Sequence, residues 1–167
     1  MLRKNPVLKI EKSSGTFAIV ASRYNAHYVD AMLRAAKEEL WRAEVSRIQI
    51  VRVPGAYEIP VVASRLAQNA ARGPEPASRL CAIICLGVIL RGETVHAAHI
   101  GAAVSRALME IQLAHGIPVI HEVLLLENEE QAEARCLGAK HNRGTEAAQA
   151  ALAMARVMQK LNGENAG

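Results

Sequence analysis

Apolar positions along this chain alternate between short runs and helical stripes. Thr16–Ala21 is a short apolar run and predicts a buried strand. Val29, Leu33, Ala36 and Leu40 then recur at the spacing of one amphipathic helix face. Arg47–Val53 predicts a second strand, ended by Pro54-Gly55. Ile59–Ala71 reads as a helix with Pro60 in its first turn, where proline is tolerated. Arg72–Pro76 reads as a surface loop. Leu80–Leu86 is wholly apolar, as expected of a strand covered on both faces. His96–His115 predicts a helix with Ile100, Val104, Ala107 and Ile111 on one face and Gly116 at its end. Pro118–Leu126 predicts a fourth strand, Glu129–Leu137 a short helix, and Thr145–Leu161 an Ala-rich last helix.

Strand and helix alternate four times, which predicts an α/β fold: a parallel sheet with helices on both faces. One domain is expected over residues 13–161, with tails at 1–12 and 162–167. In such sheets ligands bind outside the carboxyl ends of the strands. The unusual residues fall there: Tyr24-Asn25 after strand 1, Gly55–Glu58 after strand 2, Gly87–His96 after strand 3, and His121–Glu127 in or after strand 4.

Composition narrows the picture. Aromatics are only 3% of the chain, so the core must be built from Ala, Val, Ile and Leu. The net charge of +4 is concentrated at the start, where Arg3, Lys4, Lys9 and Lys12 face only Glu11. The body is almost neutral, which argues against a nucleic-acid partner. Cys81 and Cys85 would share one face of a regular strand, and Cys136 stands apart. Three cysteines without a CxxC pair argue against a disulfide frame or a zinc ribbon. Met1–Lys12 has no apolar signal core, and the longest apolar run, Cys81–Leu90, is too short to span a bilayer. A cytoplasmic protein with no membrane partner is expected.

Candidate chemistry clusters at Leu86–His96, read as a strand that turns on Gly87 into a helix whose free N–H groups can hold an anion. Gly87-x4-Gly92-Glu93-Thr94 approaches a nucleotide phosphate loop, but Glu93 stands where that loop needs Lys. A carboxylate there would repel a polyphosphate. A single phosphate held by backbone N–H groups and the Thr94 hydroxyl fits, as does Thr94 acting only as a helix cap. His96 follows at once, and an imidazole exchanges protons near neutral pH. His96, His99 and Glu93 lack a further ligand, so no metal site is expected. Tyr24 and Tyr57 either stack on a heteroaromatic ligand or cap the core edge. Glu58 either accepts ligand hydrogen bonds or serves a helix start. Arg135 and Arg143 are forked phosphate binders or plain surface charges.

Four blocks together resemble the lumazine synthase family. They are Ser22-Arg23-Tyr24-Asn25, Val53–Pro60 (VPGAYEIP), Leu86–His96 with its RGETVH, and Glu130–Arg135 with Asn142-Arg143-Gly144. The resemblance implies a flavodoxin-like three-layer α/β/α sandwich with a four-stranded parallel sheet. It implies condensation of 5-amino-6-(D-ribitylamino)uracil with 3,4-dihydroxy-2-butanone 4-phosphate to 6,7-dimethyl-8-ribityllumazine, phosphate and water, with no cofactor. It also implies homopentamers, some closing into sixty-subunit shells, with the site between subunits.

By the same resemblance Tyr24 and Asn25 meet the pyrimidine, and Ala56, Tyr57 and Glu58 hold the ribityl chain. Val88, Ile89 and Leu90 offer backbone to the ring edge. Glu93 and Thr94 bind phosphate with Arg135 of a neighbouring subunit, and His96 moves protons. The chain departs from the family at His121, where a stacking Phe is usual after strand 4; as a substrate-binding residue His121 can still stack, with a polar edge added. It departs again at Ala97, Ala98 and His99, where the family has aromatic-acid-aromatic, and at Ala139, the place of a family Lys. A non-catalytic flavin- or lumazine-binding shell protein is the alternative those departures leave.

Overall fold

The computed structural model describes residues 12–70, 79–139 and 141–163. Of the expected basic tail only Lys12 falls within them, paired with Glu44 at 2.7 Å. The rest of that tail, the Arg72–Pro76 loop, Lys140 and the last four residues lie outside the described residues.

The apolar runs become strands β1 (Thr16–Ser22), β2 (Arg47–Val53), β3 (Leu80–Leu90) and β4 (Val119–Leu126). Between them lie α1 (Ala26–Arg42), α2 (Ile59–Ala70), α3 (His96–His115), α4 (Glu129–Cys136) and α5 (Arg143–Leu161). A 3-10 turn, Ala56–Glu58, precedes α2. The sheet is parallel throughout, in the order β2-β1-β3-β4. The expected α/β fold is therefore the fold observed.

Side chains leave a strand alternately to its two faces, and each set finds its own helices. Phe17, Ile19, Ala21, Ile84 and Leu86 pack with α1 and α5, through Met32, Leu40, Ala148 and Leu152. Ala18, Val20, Ile83, Cys85 and Val123 pack with α2 and α3, through Ile59, Ala63, Val104 and Leu108. These are the three layers. In α3 the buried stripe is Ala97, Val104, Leu108 and Ile111, so Leu108 takes the place expected of Ala107.

Three expectations change. Strand β3 runs on to Leu90 instead of ending at Leu86. Gly87 is thus no turn: it sits inside the strand, paired with Val123. Its need is space, since a Cβ there would lie 3.2 Å from Val123 Cγ1 and 3.4 Å from Ile59 Cδ1. Cys81 and Cys85 do not share a face, because the register with β1 shifts between Thr16 and Phe17 and leaves Cys81 opposite no residue. Beyond that bulge Cys85 faces α2 and α3, while Cys81 packs on the α1 and α5 side. Burial alone pushes the Cys85 thiol far up, as expected of an inert packing residue.

A buried carboxylate joins two helices. Glu39 of α1 accepts from Gln149 of α5 at 2.8 Å and from Arg42 at 3.0 Å. The helices also touch at Gly144, where a Cβ would run into the Met32 backbone. Gly144→Ala should lower Tm by about 5–10 °C, the effect of overpacking a close contact in a chain of this size. Gly101→Ala meets only Leu125 Cδ2 at 3.6 Å and should leave Tm unchanged or slightly raised. Thermal unfolding of both variants checks the pair.

Candidate functional site

The site begins where one strand outlasts its neighbour. The pairing of β3 with β1 ends at Ala21 and Leu86, yet β3 continues alongside β4 to Leu90 and Leu126. One edge of Gly87–Leu90 therefore opens onto the point where the chain reverses its winding, the usual ligand crevice of such sheets. Asn25 fills part of the gap: its Nδ2 donates to the Val88 carbonyl at 2.8 Å. Peptide groups alternate along a strand, and Arg91 N–H donates to Leu126 O on the far side. The Leu90 N–H and C=O, two residues beyond Val88, thus face the opening.

Two loops wall this opening, and each is fixed by backbone bonds. Arg23 N–H donates to Val53 O and Tyr24 N–H to Pro54 O, tying the end of β1 to the end of β2. Asn25 takes a left-handed conformation at φ 55, which Asn tolerates, and α1 starts there. Arg52 reaches across to Asp30 at 2.6 Å and to the Ser22 carbonyl at 2.9 Å. Glu58 Oε2 accepts from Gly55 N–H at 2.8 Å, which holds the 3-10 turn. A Cβ at Gly55 would lie 2.9 Å from Tyr24 Cδ2 and 2.9 Å from Glu58 Oε2, so a larger residue would push these side chains aside. Tyr24 is 71% and Tyr57 64% exposed, so neither caps the core edge.

The third wall is α3. The loop Arg91–Val95 is exposed and anchored by Arg91 to Glu127 at 2.7 Å. Val95 occupies the cap position without a side-chain cap, so Thr94 does not close the helix through its hydroxyl. The first-turn N–H groups of α3 are left for solvent or an anion. His96 and His99 stand on the first turn and a half, both exposed.

Together these walls enclose a cleft of about 950 Å³. Tyr24, Asn25, Ala56, Tyr57, Glu58, Val88, Ile89, Leu90 and His96 all line it. Gly55, His99, Ile100 and Ala103 line it as well and were not assigned to it. The signal was present: His96, His99, Ile100 and Ala103 are one helix face by spacing.

Other expected residues lie elsewhere. Glu93 and Thr94 are at the cleft edge, in the loop before α3, and do not line it. His121 is within β4, inside the strand expected over Pro118–Leu126, paired with Cys85 and outside the cleft lining, and its Nε2 is 2.8 Å from Ser105 Oγ. Arg135 is exposed in the last turn of α4, with no ion pair among the described residues. Arg143 is committed to Glu122 at 2.6 Å and Glu146 at 2.7 Å. Burial pushes the Glu122 carboxyl up, while the adjacent Arg143 pulls it partly back. Asn142 bonds Gly144 N–H and the Cys136 carbonyl, closing the turn between α4 and α5. No cluster of metal-ligating side chains occurs among the described residues, and no helix there is long and apolar enough to cross a membrane.

A family described as 6,7-dimethyl-8-ribityllumazine synthase matches residues 14–159. Similar curated proteins bear that same name. One from Xanthomonas oryzae pv. oryzae (strain PXO99A) is 42% identical over 147 residues, covering 87% of this chain and 90% of the relative. One from Stenotrophomonas maltophilia (strain R551-3) is 40% identical over 150 residues, covering 89% and 92%. One from Xanthomonas euvesicatoria pv. vesicatoria (strain 85-10) is 39% identical over 154 residues, covering 91% and 95%.

Asn25→Ala removes the bond to Val88 and puts Ala in a left-handed conformation. It should cost about 2 kcal/mol of stability from these two losses. Denaturant unfolding reads that directly, and an unchanged midpoint would contradict the role given to Asn25.

Proposed function

The chain belongs to the 6,7-dimethyl-8-ribityllumazine synthase family, and on that premise we infer that it is the transferase of riboflavin biosynthesis named by that family. It joins 5-amino-6-(D-ribitylamino)uracil to 3,4-dihydroxy-2-butanone 4-phosphate, releasing 6,7-dimethyl-8-ribityllumazine, phosphate and water. The observation that carries this reading is one cleft holding a ring-sized aromatic wall, an open strand edge and an uncapped helix start beside a histidine.

In this reading the pyrimidine lies between the Tyr24 ring and the β3 edge, with its polar rim on the Leu90 backbone. The ribityl chain runs along Ala56, Tyr57 and Glu58. Phosphate binds at the Glu93 and Thr94 N–H groups, which suits the missing side-chain cap. The amine attacks the ketone and forms an imine with loss of one water, phosphate is eliminated to leave an enol that becomes a carbonyl, and the ribityl-bearing nitrogen attacks that carbonyl and closes the ring with loss of a second water. His96 stands at the phosphate end and carries protons between these steps. No step calls for a cofactor or metal.

Arg135 and His121 serve the cleft of a neighbouring copy in this reading. Both lie outside their own cleft, Arg135 on α4 and His121 on edge strand β4. An assembly is also supported by the exposed face of α3, where Met109 is 54% and Leu113 75% exposed. Pentamers, alone or closed into a sixty-subunit shell, are the proposed form, and the cytoplasm is the proposed location. The free thiols of Cys85 and Cys136 suit a reducing compartment. The described cleft favours catalysis over passive flavin binding, because His96 faces the same space as the ring-binding wall.

Mixing the two substrates with the protein should produce lumazine absorbance and fluorescence together with inorganic phosphate. His96→Ala should slow this by about 10²–10⁴-fold, the range for a lost acid–base group. Absence of product with the unaltered protein would overturn the reading. For a site shared between copies, His96→Ala and Arg135→Ala proteins, each weak alone, should regain activity when refolded together. No gain on mixing would place Arg135 and His96 in one chain's site or Arg135 in none.

A further inference from the structure

His99 lines the cleft and the proposed reaction leaves it without a task. It stands three residues beyond His96 on α3, about 4.5 Å farther from the helix start where phosphate is proposed to bind. His99 is exposed, and its ring has no hydrogen-bond partner among the described residues. By contrast, the His121 ring is taken by Ser105.

The cleft wall changes character along α3. His96 and His99 are its polar members, and Ile100 and Ala103 are apolar. The facing wall is the 3-10 turn, on which α3 packs directly. There Glu58 spends Oε2 on Gly55 N–H and keeps its other oxygen for a ligand. A free imidazole on one wall and a free carboxylate oxygen on the other form a donor and acceptor pair. That pair suits a chain of hydroxyls, each of which both donates and accepts.

We propose that His99 is a specificity residue that hydrogen-bonds the polyhydroxy chain of the ribitylaminouracil from the α3 side of the cleft. The assignment rests on the reaction proposed above. It adds a binding contact and no proton transfer, so it predicts a change in KM for one substrate and little change in kcat. A single neutral hydrogen bond is worth about tenfold in affinity.

His99→Phe removes the polar edge and keeps a flat ring of similar size. Steady-state kinetics should show KM for the ribitylaminouracil raised about tenfold. KM for the butanone phosphate and kcat should stay within about threefold, a change smaller than one lost hydrogen bond. His99→Gln, which keeps a donor and an acceptor, should recover most of the lost affinity. Fluorescence titration separates this inference from the reaction itself. Binding of 6,7-dimethyl-8-ribityllumazine should weaken in His99→Phe, while 6,7,8-trimethyllumazine, which lacks the chain, should bind the two proteins alike. Equal weakening of both ligands, a rise in KM for the butanone phosphate instead, or a fall in kcat with a changed pH profile would each overturn the assignment. Turnover by the unaltered protein with His99→Phe indistinguishable from it would overturn the assignment alone. No turnover and no lumazine binding by the unaltered protein would overturn the reaction and the assignment with it.

Discussion

The unpaired edge of β3 is the constraint on which the site depends. A buried strand cannot leave its N–H and C=O groups without partners, since each one orphaned costs about 1–3 kcal/mol. β1 stops at Ser22, and β3 continues through Leu90 beside β4. Asn25 meets part of the demand through Val88 O, and the Leu90 N–H and C=O are left facing the cleft. The same stop sends α1 to one face of the sheet, whereas the chain leaving β3 enters α3 on the other. The open edge and the crevice between the diverging helices have one cause.

What surrounds that edge is rigid by construction. Backbone bonds from Arg23 and Tyr24 to the end of β2 hold the aromatic wall. The Glu58 carboxylate holds the 3-10 turn, and Arg91 with Glu127 holds the entry to α3. The start of α3 has no such side-chain bond, because Val95 stands at its cap position. Fixed walls pre-order what binds between them at little entropic cost, and such pre-ordering lowers the barrier of a condensation. Arg135 and His121 lie outside the cleft of their own chain.

Most of this was legible in the chain because local patterns and tertiary structure agree. Alternating apolar runs and stripes announced the parallel sheet, and the special residues at strand ends announced the cleft. Gly87 misled, since glycine after an apolar run reads as a turn, and only the packing of Val123 and Ile59 shows it is needed for space. The bulge at Cys81 was invisible because nothing in an all-apolar run marks an extra residue. Arg143 and Arg135 looked alike as charges. The buried Glu122, two elements away, is what commits Arg143 and leaves Arg135 available. By sequence His99 reads only as a member of an incomplete metal set with His96 and Glu93, whereas its place in the cleft follows from helix spacing.

The most direct test is a crystal structure of the protein with 6,7-dimethyl-8-ribityllumazine and inorganic phosphate. The account places the pyrimidine edge on the Leu90 backbone beside Tyr24, with phosphate on the Glu93 and Thr94 N–H groups. A ring bound away from β3, or Leu90 backbone groups paired to protein in that complex, would contradict it.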